Sequence, residues 1–141
     1  MPRKYYKRVF PSEIIKIKSI ILHTVDFIRL NIFSAAESDL YDLRLIYSEL
    51  LCNAVMHGNK GDSSKFVTLS VELDNDTVLS AISDEGCGFD YASLLAEKSP
   101  QKNIYSEHGR GILLARSLAD SISFNGVGNE IVFSKKVNRN G

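Results

Sequence analysis

Residues 65–84 constrain the architecture more tightly than any other stretch. Val67, Leu69, Val71 and Leu73 alternate with Thr68, Ser70 and Glu72, which gives an extended strand one apolar side and one polar side. Asp74-Asn75-Asp76 is turn chemistry, and Thr77 to Asp84 reads as the returning strand of an antiparallel hairpin. A sheet with a single apolar face needs a second layer over that face, and helices are the natural cover.

The residues before the hairpin supply such helices. Lys4 to Phe10 reads as a short strand that Pro11 stops, and Ser12 is placed as a helix N-cap with Glu13 at the positive end of the helix. Ile14, Ile17, Ile21, Val25, Ile28 and Ile32 form one apolar stripe, with Lys16, Lys18, Asp26 and Arg29 falling away from it. That pattern predicts a helix of roughly 20 residues, about 30 Å long. Ile15 and Ile20 lie off the stripe, and His23 is expected at the surface or partly packed. Ser34-Ala35-Ala36-Glu37 matches a capping box for a second helix, which runs through Leu43 and Glu49 to about His57. Gly58 is placed to end it as a left-handed cap, followed by Asn59-Lys60-Gly61-Asp62. At the other end, Ile122 to Asn125 and Ile131 to Val137 read as the last two strands, joined by Gly126-Val127-Gly128-Asn129. The expected fold is α+β, a two-layer α/β sandwich with helices on one face of a mainly antiparallel mixed sheet, and residues 1–141 form a single domain.

Composition narrows the setting. Lys plus Arg and Asp plus Glu both total 17, so there is no basic surplus of the kind that general nucleic-acid binding requires. The basic residues Arg3, Lys4, Lys7 and Arg8, with Tyr5 and Tyr6 among them, read as a solvated end. Cys52 and Cys87 have no metal-ligand spacing and are expected as free thiols in a reducing compartment. No signal-peptide pattern and no run of about 18 apolar residues is visible, so a cytoplasmic protein without a membrane span is expected.

Three stretches carry chemistry. Glu49 and Asn53 are four residues apart on the second helix, so a carboxylate and a carboxamide stack on one face. Such a pair can hold a hydrated metal ion and orient a hydroxyl, although most such pairs are only solvated surface. Asp84-Glu85-Gly86-Cys87-Gly88-Phe89 follows the hairpin at once and is by itself ordinary turn chemistry. Residues 90–108 read as a short helical piece (Tyr91 to Glu97) and a long mobile loop. His108-Gly109-Arg110-Gly111 then feeds an apolar helix, a glycine loop at a helix N-terminus where free amide groups favour an anion.

Taken together and in order, these stretches resemble the ATP-binding domain of the Bergerat superfamily, shared by gyrase, histidine kinases, mismatch-repair ATPases and heat-shock chaperones. Glu49 with Asn53 is similar to its N-box, Asp84, Gly86 and Gly88 to its first glycine box, and Gly109 and Gly111 to its second. The short chain, the early strand and Asn53-Ala54-Val55-Met56-His57-Gly58-Asn59 most resemble the bacterial anti-sigma factor serine kinases. That resemblance implies a homodimer that binds a sigma factor and phosphorylates an anti-anti-sigma protein on serine or threonine, with ATP and Mg²⁺ as cofactors.

The resemblance also implies roles. Asn53 holds Mg²⁺, Glu49 orients or deprotonates the acceptor hydroxyl, and Asp84 accepts a hydrogen bond from the adenine amino group. Gly86 and Gly88 admit close approach of the base, Gly109, Arg110 and Gly111 contact phosphates, and residues 90–108 form a lid. This chain departs from the family where Thr often follows the last glycine near adenine, because Asn129 and Glu130 follow Gly128. His57 and Lys60 are explained equally well by phosphate proximity and by solvated helix termination. Two other readings stand beside the kinase: a nucleotide-dependent binding module without significant kinase activity, and a stand-alone histidine-kinase-like ATPase domain. The second is weakened by the absence of a phospho-acceptor histidine on a dimerisation hairpin, since His23 is the only histidine on the first helix.

Overall fold

The computed structural model describes residues 2–90 and 107–137. Strand β1 (Lys4–Pro11) leads through a 3₁₀ turn (Ile14–Lys16) into helix α1 (Ile17–Asn31), and then helix α2 (Glu37–Cys52). A π-helical turn (Asn53–Gly58) ends α2. Strands β2 (Phe66–Asp74) and β3 (Thr77–Ser83) follow, then helix α3 (Glu107–Leu118) and strands β4 (Ser121–Phe124) and β5 (Glu130–Lys136). The helical piece expected over Tyr91 to Glu97, and most of the expected lid, lie outside the described residues.

The strands form one sheet in the order β1-β2-β3-β5-β4, and every neighbouring pair is antiparallel. The β2–β3 register pairs Asp74 with Thr77 across Asn75-Asp76, with Asn75 at φ +56°. Val67, Leu69, Val71 and Leu73 all point into the core, as the alternation predicts. Opposite them on the helical layer are Val25 and Ile28 of α1, Leu43, Ile46, Tyr47 and Leu50 of α2, and Ile112 and Ala115 of α3. Each fully buried aliphatic side chain stabilises the sandwich by about 1.5–3 kcal/mol. Tyr47 crosses the core between the layers. Its hydroxyl shares a hydrogen bond of 2.5 Å with Ser80, its ring meets Phe133 edge-on, and burial pushes its pKa well up. On α1, Phe27 stacks on Tyr6 of β1.

Several helix ends differ from expectation. Ser12 does not cap α1; it is buried, and its hydroxyl donates to the Lys65 carbonyl (2.7 Å). The chain therefore enters α1 through the 3₁₀ turn, and Ile14 stays exposed instead of joining the stripe; Ile15 lies off the stripe as expected, while Ile20 packs against the core. The Ser34–Glu37 capping box does not form either. Ala36 is the N-cap of α2, with no side-chain cap bond, because Ala35 and Ile32 are drawn into the core and set the entry angle. Gly58 is not a left-handed cap; the positive-φ residues at this helix end are Lys60 (+55°) and Gly61 (+69°). The reason is the π turn, which lengthens the helix end so that the Gly61 amide reaches back to the Val55 carbonyl.

A charged cluster ties the layers together on the far side. Lys135 of β5 is almost fully buried; its ammonium donates to the Leu118 carbonyl at the C-terminus of α3 (2.8 Å) and lies 3.7 Å from both Asp39 and Asp42 of α2. Removing the amine leaves a helix-end carbonyl and two carboxylates facing an apolar stem. Lys135→Met should therefore destabilise the fold by about 1.5–3 kcal/mol, measured as a lower urea midpoint at unchanged m-value.

Candidate functional site

The π turn sets the site. Asn53 keeps α-helical bonding to α2, since its amide bonds to the Glu49 and Leu50 carbonyls, so Glu49 and Asn53 do stack one turn apart. From Asn53 the helix widens, and Asn53, Ala54 and Val55 are all buried in succession. An α-helix rotates 100° per residue and rarely turns three consecutive side chains inward; π turns are frequent where function fixes a helix face. Asn53 is 6% exposed, and Glu49 is partly exposed.

Beyond the π turn the first glycine stretch packs against the helix end. The Asp84 carboxylate lies directly against Gly58, where any Cβ would overlap it. A Cβ on Gly86 would overlap the Gly58 carbonyl. The Gly86 amide donates to Asp84 Oδ1 (2.7 Å), which holds the carboxylate in place. Partial burial nevertheless dominates, and pushes the Asp84 pKa above its ordinary value. Gly88 (φ +98°) and Gly128 (φ +82°) interlock: each lies where a Cβ would strike the other loop's backbone, at Val127 and Phe89. His57, Gly58, Lys60, Asp84, Gly88, Phe89 and Gly128 line a cleft of about 220 Å³.

Asn129 stands where the resemblance leads one to expect Thr. Its side chain donates to the Gly86 carbonyl (3.2 Å), and its own carbonyl accepts from the Asp84 amide (2.9 Å). Asn125 Oδ1 in turn accepts from the amides of Gly128, Asn129 and Glu130. Asn129 thus braces the cleft from behind.

Sequence reading missed one residue of this frame. Asn59, read as part of a helix terminator and of the Asn53–Asn59 run but given no role of its own, is 1% exposed and joins three segments. Its Nδ2 donates to Ser12 Oγ (2.7 Å) and the Phe66 carbonyl (3.0 Å), and its Oδ1 accepts from the Glu85 amide (2.7 Å). Asn is among the commonest turn residues, so only the long-range partners distinguish it. Asn59→Ala strands a hydroxyl, a carbonyl and an amide. It should destabilise the protein by about 1–3 kcal/mol in urea titrations and weaken ligand binding at the Asp84 cleft.

The second glycine stretch is helical, not a loop. Gly109, Arg110 and Gly111 lie in the first turns of α3, which begins by Glu107, and Arg110 is exposed. Gly111 is buried against Glu49. Asp84, Gly86 and Gly88 therefore gather at one end of the site, Glu49 and Gly111 meet at the other, and Asn53 sits on the helix between them. Cys52 and Cys87 are free thiols; burial first, and then the Glu49 carboxylate, push the Cys52 pKa up. Among the described residues no cluster of three His, Cys, Asp or Glu side chains is placed to cage a metal by itself. Among the same residues, no helix is long and apolar enough to cross a membrane.

A two-layer sandwich with a helix-borne carboxylate–carboxamide pair beside a glycine-walled carboxylate cleft is the arrangement of a histidine kinase-like ATPase domain. The profile described as histidine kinase-like ATPase domain matches residues 10–135, and the chain belongs to that family. Among curated relatives, the serine-protein kinase RsbW of Staphylococcus epidermidis is 33% identical over 95 residues, covering 63% of this chain and 60% of that protein. The protein of the same name from Staphylococcus aureus (strain Newman) is 32% identical over the same length. The anti-sigma F factor of Clostridium perfringens (strain SM101) is 27% identical over 106 residues, 71% of this chain and 74% of that protein. The matched segment spans 60% of the length of the RsbW relatives.

Proposed function

We propose that this protein is an anti-sigma factor that binds ATP with Mg²⁺ and phosphorylates an anti-anti-sigma protein on serine or threonine. The observation that carries the reading is the Asp84 carboxylate seated against Gly58, five residues past Asn53 on the same helix end. It supports a base site joined directly to a metal and acceptor site. Asp84 accepts from the adenine amino group, and the close backbone packing at Gly58, Gly86 and Gly88 shapes the wall of the base cleft. Asn53 offers one oxygen to Mg²⁺. That donor set fits the ion, because Mg²⁺ keeps several waters and is completed by nucleotide phosphates instead of an all-protein cage. When bound, the ion neutralises phosphate charge. Glu49 positions the acceptor hydroxyl and takes its proton. Gly109 and Arg110, in the first described turn of α3, face the phosphates, and Gly111 packs against Glu49 instead.

Partners follow from the same reading: a sigma factor held while ATP is bound, and the phosphorylated anti-anti-sigma protein. The protein acts as a cytoplasmic homodimer. The helix-free face of the sheet supports self-association, since Tyr5 and Val9 of β1 and Leu79 of β3 are all exposed there. A tagged copy should retain a sigma factor from its native cells in Mg·ATP and a small protein in Mg·ADP, and should label that small protein from radioactive ATP. A dimer should appear in sedimentation at micromolar concentration. Retention that ignores the nucleotide overturns the reading. ATP-controlled retention without any phosphate transfer replaces the kinase with a nucleotide-dependent binding module.

A further inference from the structure

We propose that Gly111 is a positioning residue for Glu49: the missing side chain lets α3 seat against the Glu49 carboxylate and fixes where that carboxylate stands. The inference rests on Glu49 being the group that acts on the acceptor hydroxyl.

Three observations carry it. Gly111 is buried on the face of α3 that packs along α2, next to the buried Ile112 and one turn before the buried Ala115. A Cβ there would overlap Glu49 Oε2, lie 3.1 Å from Cδ and stand 3.6 Å from the Glu49 Cβ. A Cβ there would thus meet both the carboxylate and the base of the Glu49 side chain. Turn geometry does not require the glycine, because Gly111 is not among the positive-φ residues and sits inside a helix, where glycine is about 1 kcal/mol worse than alanine. Phosphate binding does not require it either. Gly111 is at least the fifth residue of α3, past the four whose amide groups a helix leaves free. What remains is the space itself. A methyl group at 111 drives the carboxylate to another rotamer, and a misplacement of about 1 Å at a reacting group costs on the order of 10²-fold.

The test compares wild type, Gly111→Ala, Glu49→Gln and the double variant. The readouts are Mg·ATP and Mg·ADP affinity, single-turnover transfer at saturating ATP to the small protein retained in Mg·ADP, and the ¹³C resonance of the Glu49 carboxyl. Alanine favours the helix, so Gly111→Ala should fold. It should keep nucleotide affinity within about three-fold, lower transfer by roughly 10- to 100-fold, and shift the Glu49 resonance. It should cost nothing further in the Glu49→Gln background, where no base remains to misplace. Adding Glu49→Asp to Gly111→Ala, which shortens the side chain out of the overlap, should recover a wild-type melting curve if Gly111→Ala alone lowers it.

A ten-fold loss of ATP affinity with transfer at saturation unchanged makes Gly111 a phosphate contact and overturns the proposal. The same fold-loss in the Glu49→Gln background overturns it too, as does an unmoved Glu49 resonance. If Glu49→Gln transfers phosphate at the wild-type rate, the role of Glu49 falls, and the resonance alone still decides whether Gly111 places the carboxylate.

Discussion

Glu49→Gln should bind Mg·ATP within a few-fold of wild type and transfer phosphate about 10²–10⁴-fold more slowly, the range that positioned acid–base groups supply. Asn53→Ala should instead lose Mg²⁺-dependent ATP binding, and with it every later step. The two side chains share a helix face one turn apart, and the proposed reading gives them different work. Asn53 lies at the start of the π turn, 6% exposed and rigidly framed, which suits a fixed oxygen ligand. Glu49 is partly exposed, with Gly111 against its carboxylate, which suits a group that meets an incoming hydroxyl. Glutamine keeps the size and helix propensity of glutamate and removes only the charge, so a loss of transfer reports the base and not the fold. Calorimetry gives the binding limb, and labelled ATP with the partner protein gives the transfer limb. Wild-type transfer by Glu49→Gln removes Glu49 from the mechanism.

The elements legible in the sequence were those governed by local periodicity. The alternation from Val67 to Leu73, the hairpin turn at Asn75 and the inward stripe of α1 from Ile17 to Ile32 each depend on residues a few positions apart, and the structure has them. What was not legible depended on partners far along the chain. Ser12 and Ser34 carry the chemistry of caps, but tertiary packing decides their use: Ser12 goes to Lys65 and Asn59, and the entry to α2 is set by buried Ala35. Gly58 does end the helix, but not as a left-handed cap; its missing side chain leaves the space that the Asp84 carboxylate fills. No pattern in residues 53–58 signals a π turn, since it differs from an α-turn by one hydrogen-bond step. The residues of the candidate site were visible as three ordered stretches. Their mutual contacts, Asp84 on Gly58 and Gly111 on Glu49, were not, because each joins residues more than twenty positions apart.

Asp84→Asn should weaken ATP binding by roughly ten- to a hundred-fold, as expected for loss of a hydrogen bond to a charged group of about 1.5–3 kcal/mol, and should erode the preference for ATP over GTP. A carboxylate offers only acceptors, so it receives the adenine amino group and opposes the guanine carbonyl; an amide offers both kinds of partner. Gly58→Ala should give a similar loss, because a methyl group there displaces the same carboxylate, and should cost little more in an Asp84→Ala background. The apo protein should respond in the opposite direction. Burial holds the folded Asp84 pKa above its ordinary value of 3.8, more than the Gly86 amide lowers it. Stability linked to Asp84 is therefore fully present below that ordinary value and is lost as pH rises through the raised one, where the folded state must carry a half-buried charge. Asn carries no such charge. The melting temperature of Asp84→Asn should accordingly exceed that of wild type at neutral pH, with the gap closing on acidification through the carboxylate range, while saturating Mg·ATP should stabilise wild type more than the variant. Equal ATP and GTP titration curves for wild type would remove Asp84 from base recognition, and a pH-independent melting difference would remove its charge as the cause of the apo-state cost.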